Sequence, residues 1–147
     1  MRKTFLICIA LIIIGIVGRI IPHPPNFTPI GGIIIFSLVK IENKFLSNFV
    51  PLFIFWVSDL LINNFILPIT FPQYFLGFQL FGSWFIYLAL VIILISLKFL
   101  ISNPTKYFIP GASLTAAILF FLISNFGVWL GSSFYPTTFS GFWICLG

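Results

Sequence analysis

Long apolar runs, separated by short polar or proline-containing segments, dominate the pattern of the chain. The runs are continuous rather than alternating, which is typical of membrane helices and not of the strands of a transmembrane barrel. We therefore expect an all-α fold: a polytopic transmembrane helix bundle of five spans plus a truncated sixth, in a single integral membrane domain over residues 1–147. The expected spans are residues 5–21, 28–39, 46–67, 75–97 and 111–130, and the stub of the sixth is residues 140–147.

Composition excludes a water-soluble protein. Apolar residues make up 61% of the chain and charged residues 6%, whereas an average soluble domain carries roughly 25% charged residues. The mean hydropathy is +1.22, so the lipid bilayer is the expected outer solvent. The net charge of +5 does not indicate nucleic acid, because the basic residues lie in the gaps between apolar runs.

The basic residues predict the orientation. Only Arg19 falls toward the side opposite the N-terminus, and loops on the cytoplasmic side are enriched in Lys and Arg. We therefore expect a cytoplasmic N-terminus. The six residues on the N-terminal side are Arg2, Lys3, Lys40, Lys44, Lys98 and Lys106.

The second apolar run is too short to cross a bilayer alone. Its 12 residues, 28–39, would form a helix of about 18 Å, against a hydrocarbon core of about 30 Å. Four prolines lie between positions 22 and 29, just before or within this run. Backbone that is not helical is tolerated at membrane depth only where protein buries it or water reaches it. Residues 22–30 are therefore the first candidate for function.

Three polar residues are expected at one depth. Arg19, Asp59 and Asn125 follow the inner ends of their spans by 14 or 15 residues, which places each about 21 to 23 Å above the inner face. An ionised side chain in lipid costs at least about 2.5 kcal/mol, so Arg19 and Asp59 must face protein, water or each other. We expect these two opposite charges to pair.

Other polar and aromatic side chains share this level. Trp56 and Asn63 lie on the same helical face as Asp59, and Trp129 lies on that of Asn125. Together with Gln79 and the proline segment, they predict a polar, aromatic-lined chamber open to the outside. The candidate substrate-binding residues are Arg19, His23, Asn26, Asp59, Asn63, Asn125 and Trp129.

Structural roles would explain the same residues. The pair of Arg19 and Asp59 could only fix helix register, Asn125 could only join packed helices, and His23 could only cap a turn. Cys8 and Cys145 lie in apolar runs at opposite ends of the chain and are expected to be buried.

Small residues on the fifth span predict close helix packing. They are Ala112 and Ala116, Ser113 and Ala117, and Gly127 and Gly131, each pair four positions apart.

The chain carries no recognised catalytic constellation. Nucleophile-elbow, zinc-protease and phosphate-binding motifs are missing, and one histidine with two carboxylates matches no known metal site. We therefore expect no enzymatic activity, no metal and no cofactor.

One motif supports a resemblance to a known family. The segment Pro-His-Pro-Pro-Asn-Phe-Thr-Pro-Ile at residues 22–30, with Ser58-Asp59 and residues 124–130, resembles a family of bacterial membrane proteins described as transport proteins. That family is similar in layout to the substrate-binding S components of energy-coupling factor transporters, which have six helices. Its members continue beyond Cys145 into a further hydrophobic helix, so this chain is expected to be truncated or to need a partner there.

The resemblance implies a transport function in the bacterial cytoplasmic membrane. It implies binding of a small, vitamin-like solute from the outer side for uptake and, for active transport, an energising membrane subunit as partner. The competing hypothesis is a structural or assembly subunit of a membrane complex that transports nothing.

Overall fold

A computed structural model describes residues 2–22, 29–101 and 108–147 of the chain. These ranges are predominantly helical and contain no strand, which confirms the expected all-α class. The helices are α1 (Arg2–Ile20), α2 (Ile30–Lys40), α3 (Lys44–Leu61), α4 (Leu67–Thr70), α5 (Trp84–Ile101), α6 (Phe108–Gly131) and α7 (Phe139–Leu146). A π-helical stretch, Ile62–Ile66, joins α3 to α4, and a 3-10 turn follows at Pro72–Tyr74.

Three stretches are long and apolar enough to cross a membrane: Arg2–Ile20, Lys44–Thr70 and Ile109–Gly131. Two shorter apolar helices, Ile30–Lys40 and Trp84–Leu100, lie between them. Only 17% of the most apolar window of α1 and 11% of that of α6 is buried, so both helices expose mainly apolar side chains. Such surfaces are compatible with a membrane protein.

The chain forms two compact units, Met1–Gly82 and Ser83–Gly147. In the first unit, α1 and α2 both pack on α3. Gly15 on α1 allows a close approach, because a Cβ there would lie 2.5 Å from Ile54 and 2.8 Å from Ile33. Arg19, near the end of α1, contacts Asp59, near the end of α3, and the starts of both helices line one groove, so these two helices run in the same direction.

A proline accompanies the change of helix type beyond α3. Pro68 has no N–H, and in a regular α-helix its ring would clash with the carbonyl group four residues earlier, at Asn64. The α-helical hydrogen bond from residue 68 to Asn64 is therefore missing, and the preceding turn is the π-helical stretch Ile62–Ile66, with the Leu67 N–H donating to the carbonyl oxygen of Ile62. The α-helix continues through Pro51, so a proline alone does not enforce this change.

In the second unit, α5 and α6 pack along their length, and α7 packs on α6. Ala112 and Ala116 are buried as expected, and a Cβ on Gly127 would lie 2.5 Å from Phe85 of α5. Gly131 has no such neighbour within 4 Å. The predicted small-residue packing is thus present at Ala112, Ala116 and Gly127, whereas Ser113 and Ala117 are exposed and Gly131 takes no part in it.

The helix expected from residue 75 begins only at Trp84. Residues 75–83, which we call the strap, are not helical although most of them are apolar. Gly77 has a φ of +91°, which the right-handed helix does not allow. The helix therefore starts later than expected, because glycine geometry and contacts with α3 keep the strap out of the helix.

Candidate functional site

The predicted contact between Arg19 and Asp59 is present. Arg19 Nη2 lies 3.5 Å from Asp59 Oδ1, and the two side chains are only 14% and 12% exposed. Each charge therefore has an opposite charge nearby. This is expected, because an unpaired ionised group in lipid is costly.

The guanidinium group of Arg19 makes further contacts with α3. Its Nη1 donates to the carbonyl oxygen of Phe55 at 2.9 Å and to Ser58 Oγ at 2.7 Å. The Cζ atom lies 3.9 Å from the centroid of the Phe55 ring, a cation–π geometry. We call Arg19, Phe55, Ser58 and Asp59 the Arg19 cluster.

Ser58 links the cluster to the backbone of its own helix. The side chain is fully buried, and Oγ lies 2.7 Å from the carbonyl oxygen of Ile54 and 2.9 Å from that of Phe55. Since the hydroxyl hydrogen points back to the helix, the oxygen lone pairs are turned toward Arg19.

The strap is tied to α3 through its backbone. The Gly82 N–H donates to Asp59 Oδ2 at 2.9 Å, and Trp56 Nε1 donates to the carbonyl oxygen of Leu80 at 3.2 Å. Asp59 therefore serves two partners, with one oxygen toward Arg19 and the other toward the strap.

Asn64 adds a two-point contact. Its Nδ2 donates to the carbonyl oxygen of Gln79 at 2.8 Å, and its Oδ1 accepts from the Gln79 N–H at 2.8 Å. The N–H and C=O groups of one residue point the same way in extended backbone, so a single amide side chain can satisfy both. Asn64 lies in the π-helical stretch.

Asn63 lies near Gly82 and Asp59. A Cβ on Gly82 would lie 3.2 Å from Asn63 Nδ2 and would collide with Asp59 Oδ2. Gly82 is thus the residue that lets the strap approach α3 this closely.

The strap buries little apolar surface of its own. Leu76 is 84% exposed and Phe78 76% exposed, and Leu80 and Phe81 are also exposed. Its attachment in this unit therefore depends mainly on the hydrogen bonds that it makes with Trp56, Asp59 and Asn64.

Two predicted site residues belong to the second unit. Asn125 Nδ2 donates to the carbonyl oxygen of Phe121 within α6, and Trp129 Nε1 donates to that of Pro136 at 2.8 Å. The carbonyl oxygen of Asn125 accepts a hydrogen bond from Cys145 Sγ at 3.4 Å. Both cysteines are buried and unlinked, as expected. Within this unit, Trp129 connects α6 to the segment leading to α7, and the backbone carbonyl of Asn125 connects α6 to α7 itself.

His23 and Asn26 lie outside the described residues. In the first unit the structure brings together Arg19, Asp59 and Asn63 of the predicted site, and it adds Gln79 through its backbone. Among the described residues, no group of three potential metal ligands occurs.

A family model matches the chain over residues 1–147. The chain belongs to the DUF6580 family. It is described as a family of unknown function. The chain matches no curated protein and no solved structure.

Sequence reasoning missed two contributors to the site of this DUF6580 protein. Ser58 and Asn64 each stand beside a residue that was predicted, Asp59 and Asn63, inside an apolar run. Neighbouring residues of a regular helix point about 100° apart, so regular spacing would place Asn64 on a different face from Asn63. Pro68, four residues later, was the available signal that regular spacing would fail there.

Proposed function

We propose that this DUF6580 protein is a membrane transport protein that binds a small solute from the outer side of the membrane. One observation carries the proposal: an ion pair and a non-helical segment occur together beside two long apolar helices. Ionisable side chains and irregular backbone are costly at membrane depth and are typical of substrate pathways.

The chemistry of the first unit suits a small polar solute. Asp59 and Asn63 supply carboxylate and amide groups, and Trp56 supplies an aromatic surface, at the edge of an otherwise apolar bundle. This mixture of few polar groups and many apolar ones is usual for small-molecule sites.

The proposal extends to architecture and location. It includes five spans with a partial sixth in an S-component-like arrangement, the bacterial cytoplasmic membrane, and a cytoplasmic N-terminus. It also includes a vitamin-like solute and an energising membrane subunit as partner. Support comes from the apolar helices, the basic residues at helix ends and the motif at residues 22–30.

A second candidate function, a structural or assembly subunit, is favoured by a specific observation. The polar atoms of the Arg19 cluster bond to one another, and Asp59 Oδ2 and Asn64 bond to the strap. A cluster whose polar atoms bond to one another needs no ligand. Its role would then be structural, to hold the helices in register.

Native mass spectrometry of the protein, purified from membranes in mild detergent, distinguishes the two functions. The transport function predicts a retained small molecule besides lipid. His23→Ala, Asn26→Ala and Asn63→Ala should each weaken its binding more than tenfold, about 1.4 kcal/mol, with little change in thermal stability.

Asn48→Ala is the matched control, because the Asn48 side chain donates to the carbonyl oxygen of Lys44, one turn away, in the first turns of α3 and far along the chain from Asn63. Spectra that contain lipid alone, together with large stability losses in the Asn63 variant, would favour the structural subunit.

A further inference from the structure

An open apolar groove runs between α1 and the first half of α3, far along these helices from the Arg19 cluster. Its volume is about 620 Å³. The walls are apolar and carry side chains from both helices. Among them are Phe5, Ile9, Ile12, Leu46, Phe49 and Phe53.

One end of this groove is polar and acidic, and basic residues flank its lining residues in the chain. Thr4, Glu42 and Asn43 line it there, and Lys3 and Lys44 are their neighbours in the chain. Glu42, Lys3 and Lys44 are all exposed. A mixed pair of acidic and basic groups beside an apolar groove complements a molecule with a long apolar chain and a zwitterionic head.

A second groove in the same unit lacks this combination. It lies between α1 and α2, has a volume of about 400 Å³, and is lined by Ala10, Ile14, Gly32 and Phe36 among others, with no ionisable side chain. The charged end is therefore a property of the first groove and not of every gap between these helices.

We propose that the groove between α1 and α3 binds a glycerophospholipid whose head group carries a primary ammonium, as in phosphatidylethanolamine. One acyl chain lies along the apolar walls. The phosphate lies beside Lys3 and Lys44, and the ammonium donates hydrogen bonds to the Glu42 carboxylate. This site is independent of the solute site, because it uses none of its residues.

The choice of head group follows from hydrogen-bonding chemistry. Phosphatidylglycerol offers a phosphate but no cation for Glu42, and it would meet that carboxylate with like charge. Phosphatidylcholine has a cation but no N–H to donate. Only a primary ammonium satisfies the acidic and the basic side chains together.

A competition experiment tests the head-group preference. The protein is placed in nanodiscs with equal amounts of phosphatidylethanolamine, phosphatidylglycerol and phosphatidylcholine, and retained lipid is counted by native mass spectrometry. We expect wild type to retain phosphatidylethanolamine. Glu42→Gln should lower that preference about tenfold, the value of one charge-assisted hydrogen bond. Lys3→Gln with Lys44→Gln should weaken retention of all three phospholipids.

Two substitutions on adjacent residues of α1 test the location. Ile9→Trp fills the groove between α1 and α3 and should abolish lipid retention. Ala10→Trp fills the groove between α1 and α2 and should leave lipid retention unchanged. Both side chains are exposed, so the fold should tolerate either change, and thermal unfolding checks this. Equal retention of all three lipids in wild type, an unchanged preference in Glu42→Gln, or equal effects of both tryptophans would overturn the proposal.

Discussion

The Arg19 side chain joins the end of α1 to α3. Its two terminal nitrogens reach a carbonyl oxygen, a hydroxyl oxygen and a carboxylate of α3, and its plane lies over the Phe55 ring. Each of these contacts is stronger in apolar surroundings than it would be in water. The same surroundings make either charge costly when its partner is removed.

Single replacement of Arg19 or Asp59 by leucine should be strongly destabilising. Each variant leaves the opposite charge nearly buried, at a cost of about 3 to 5 kcal/mol. The double variant should lose less than the sum of the two, because no charge remains. Thermal unfolding in detergent measures all three, with Lys40→Leu at an exposed position as control. Strictly additive losses would mean that the two side chains do not interact.

Gly82→Ala tests the closest approach of the strap. The added methyl group would collide with Asp59 Oδ2, so the strap must move away from α3. We expect a loss of about 1 to 3 kcal/mol, the usual cost of overpacking. Gly31→Ala is the control, because nothing lies within 4 Å of a Cβ there and alanine favours the helix. If both variants unfold at the wild-type temperature, the strap does not rest on Asp59.

At the scale of elements, the strap is attached to α3 through polar contacts rather than through burial of apolar side chains. The strap contributes backbone groups, α3 contributes Trp56 and Asp59, and the π-helical stretch after α3 contributes Asn64. Segments with exposed side chains and few apolar contacts open at a lower free energy than the surrounding helices.

Asn64→Ala should release the strap without unfolding the bundle. It removes both hydrogen bonds to Gln79, and we expect the exchange of the Gln79 amide hydrogen to accelerate about tenfold or more. Hydrogen–deuterium exchange with mass spectrometry measures this in detergent. Asn48→Ala, which removes a bond only within the first turns of α3, should leave exchange in the strap unchanged. Equal exchange in all three proteins would show that other contacts hold the strap.

The elements differ in how far the sequence alone could predict them. The contact between Arg19 and Asp59 followed from counting residues, because the rise of a helix is constant. The start of α5 did not, because apolar residues occur on both sides of Trp84 and the apolar run gives no clear boundary there. The strap is held by side chains 15 to 24 residues away, a cause that no local window contains.

At the scale of the whole molecule, the direction of the helices can be tested in cells. Lys44 begins α3 and Leu76 lies in the strap after its end, so the stretch Lys44–Thr70 separates them. We expect Lys44→Cys to be protected from an impermeant thiol reagent in intact cells, and Leu76→Cys, at an 84% exposed position, to be labelled.

These labelling variants are made after Cys8 and Cys145 have been replaced by alanine, and the parent without cysteine is the control. The reverse pattern, with labelling only at position 44, would place the N-terminus outside and contradict the proposed orientation.

The partners of the ion pair are separated by 40 residues of chain, and this spacing has a consequence for biogenesis. At about 5 to 20 residues per second, a ribosome needs roughly 2 to 8 s to make the carboxylate after the guanidinium. During that interval the first helix would have to enter the bilayer with its arginine uncompensated, at a cost of up to about 3 kcal/mol. In a membrane, the first helix is therefore expected to be held more firmly once the third arrives, because only then does its arginine have a partner.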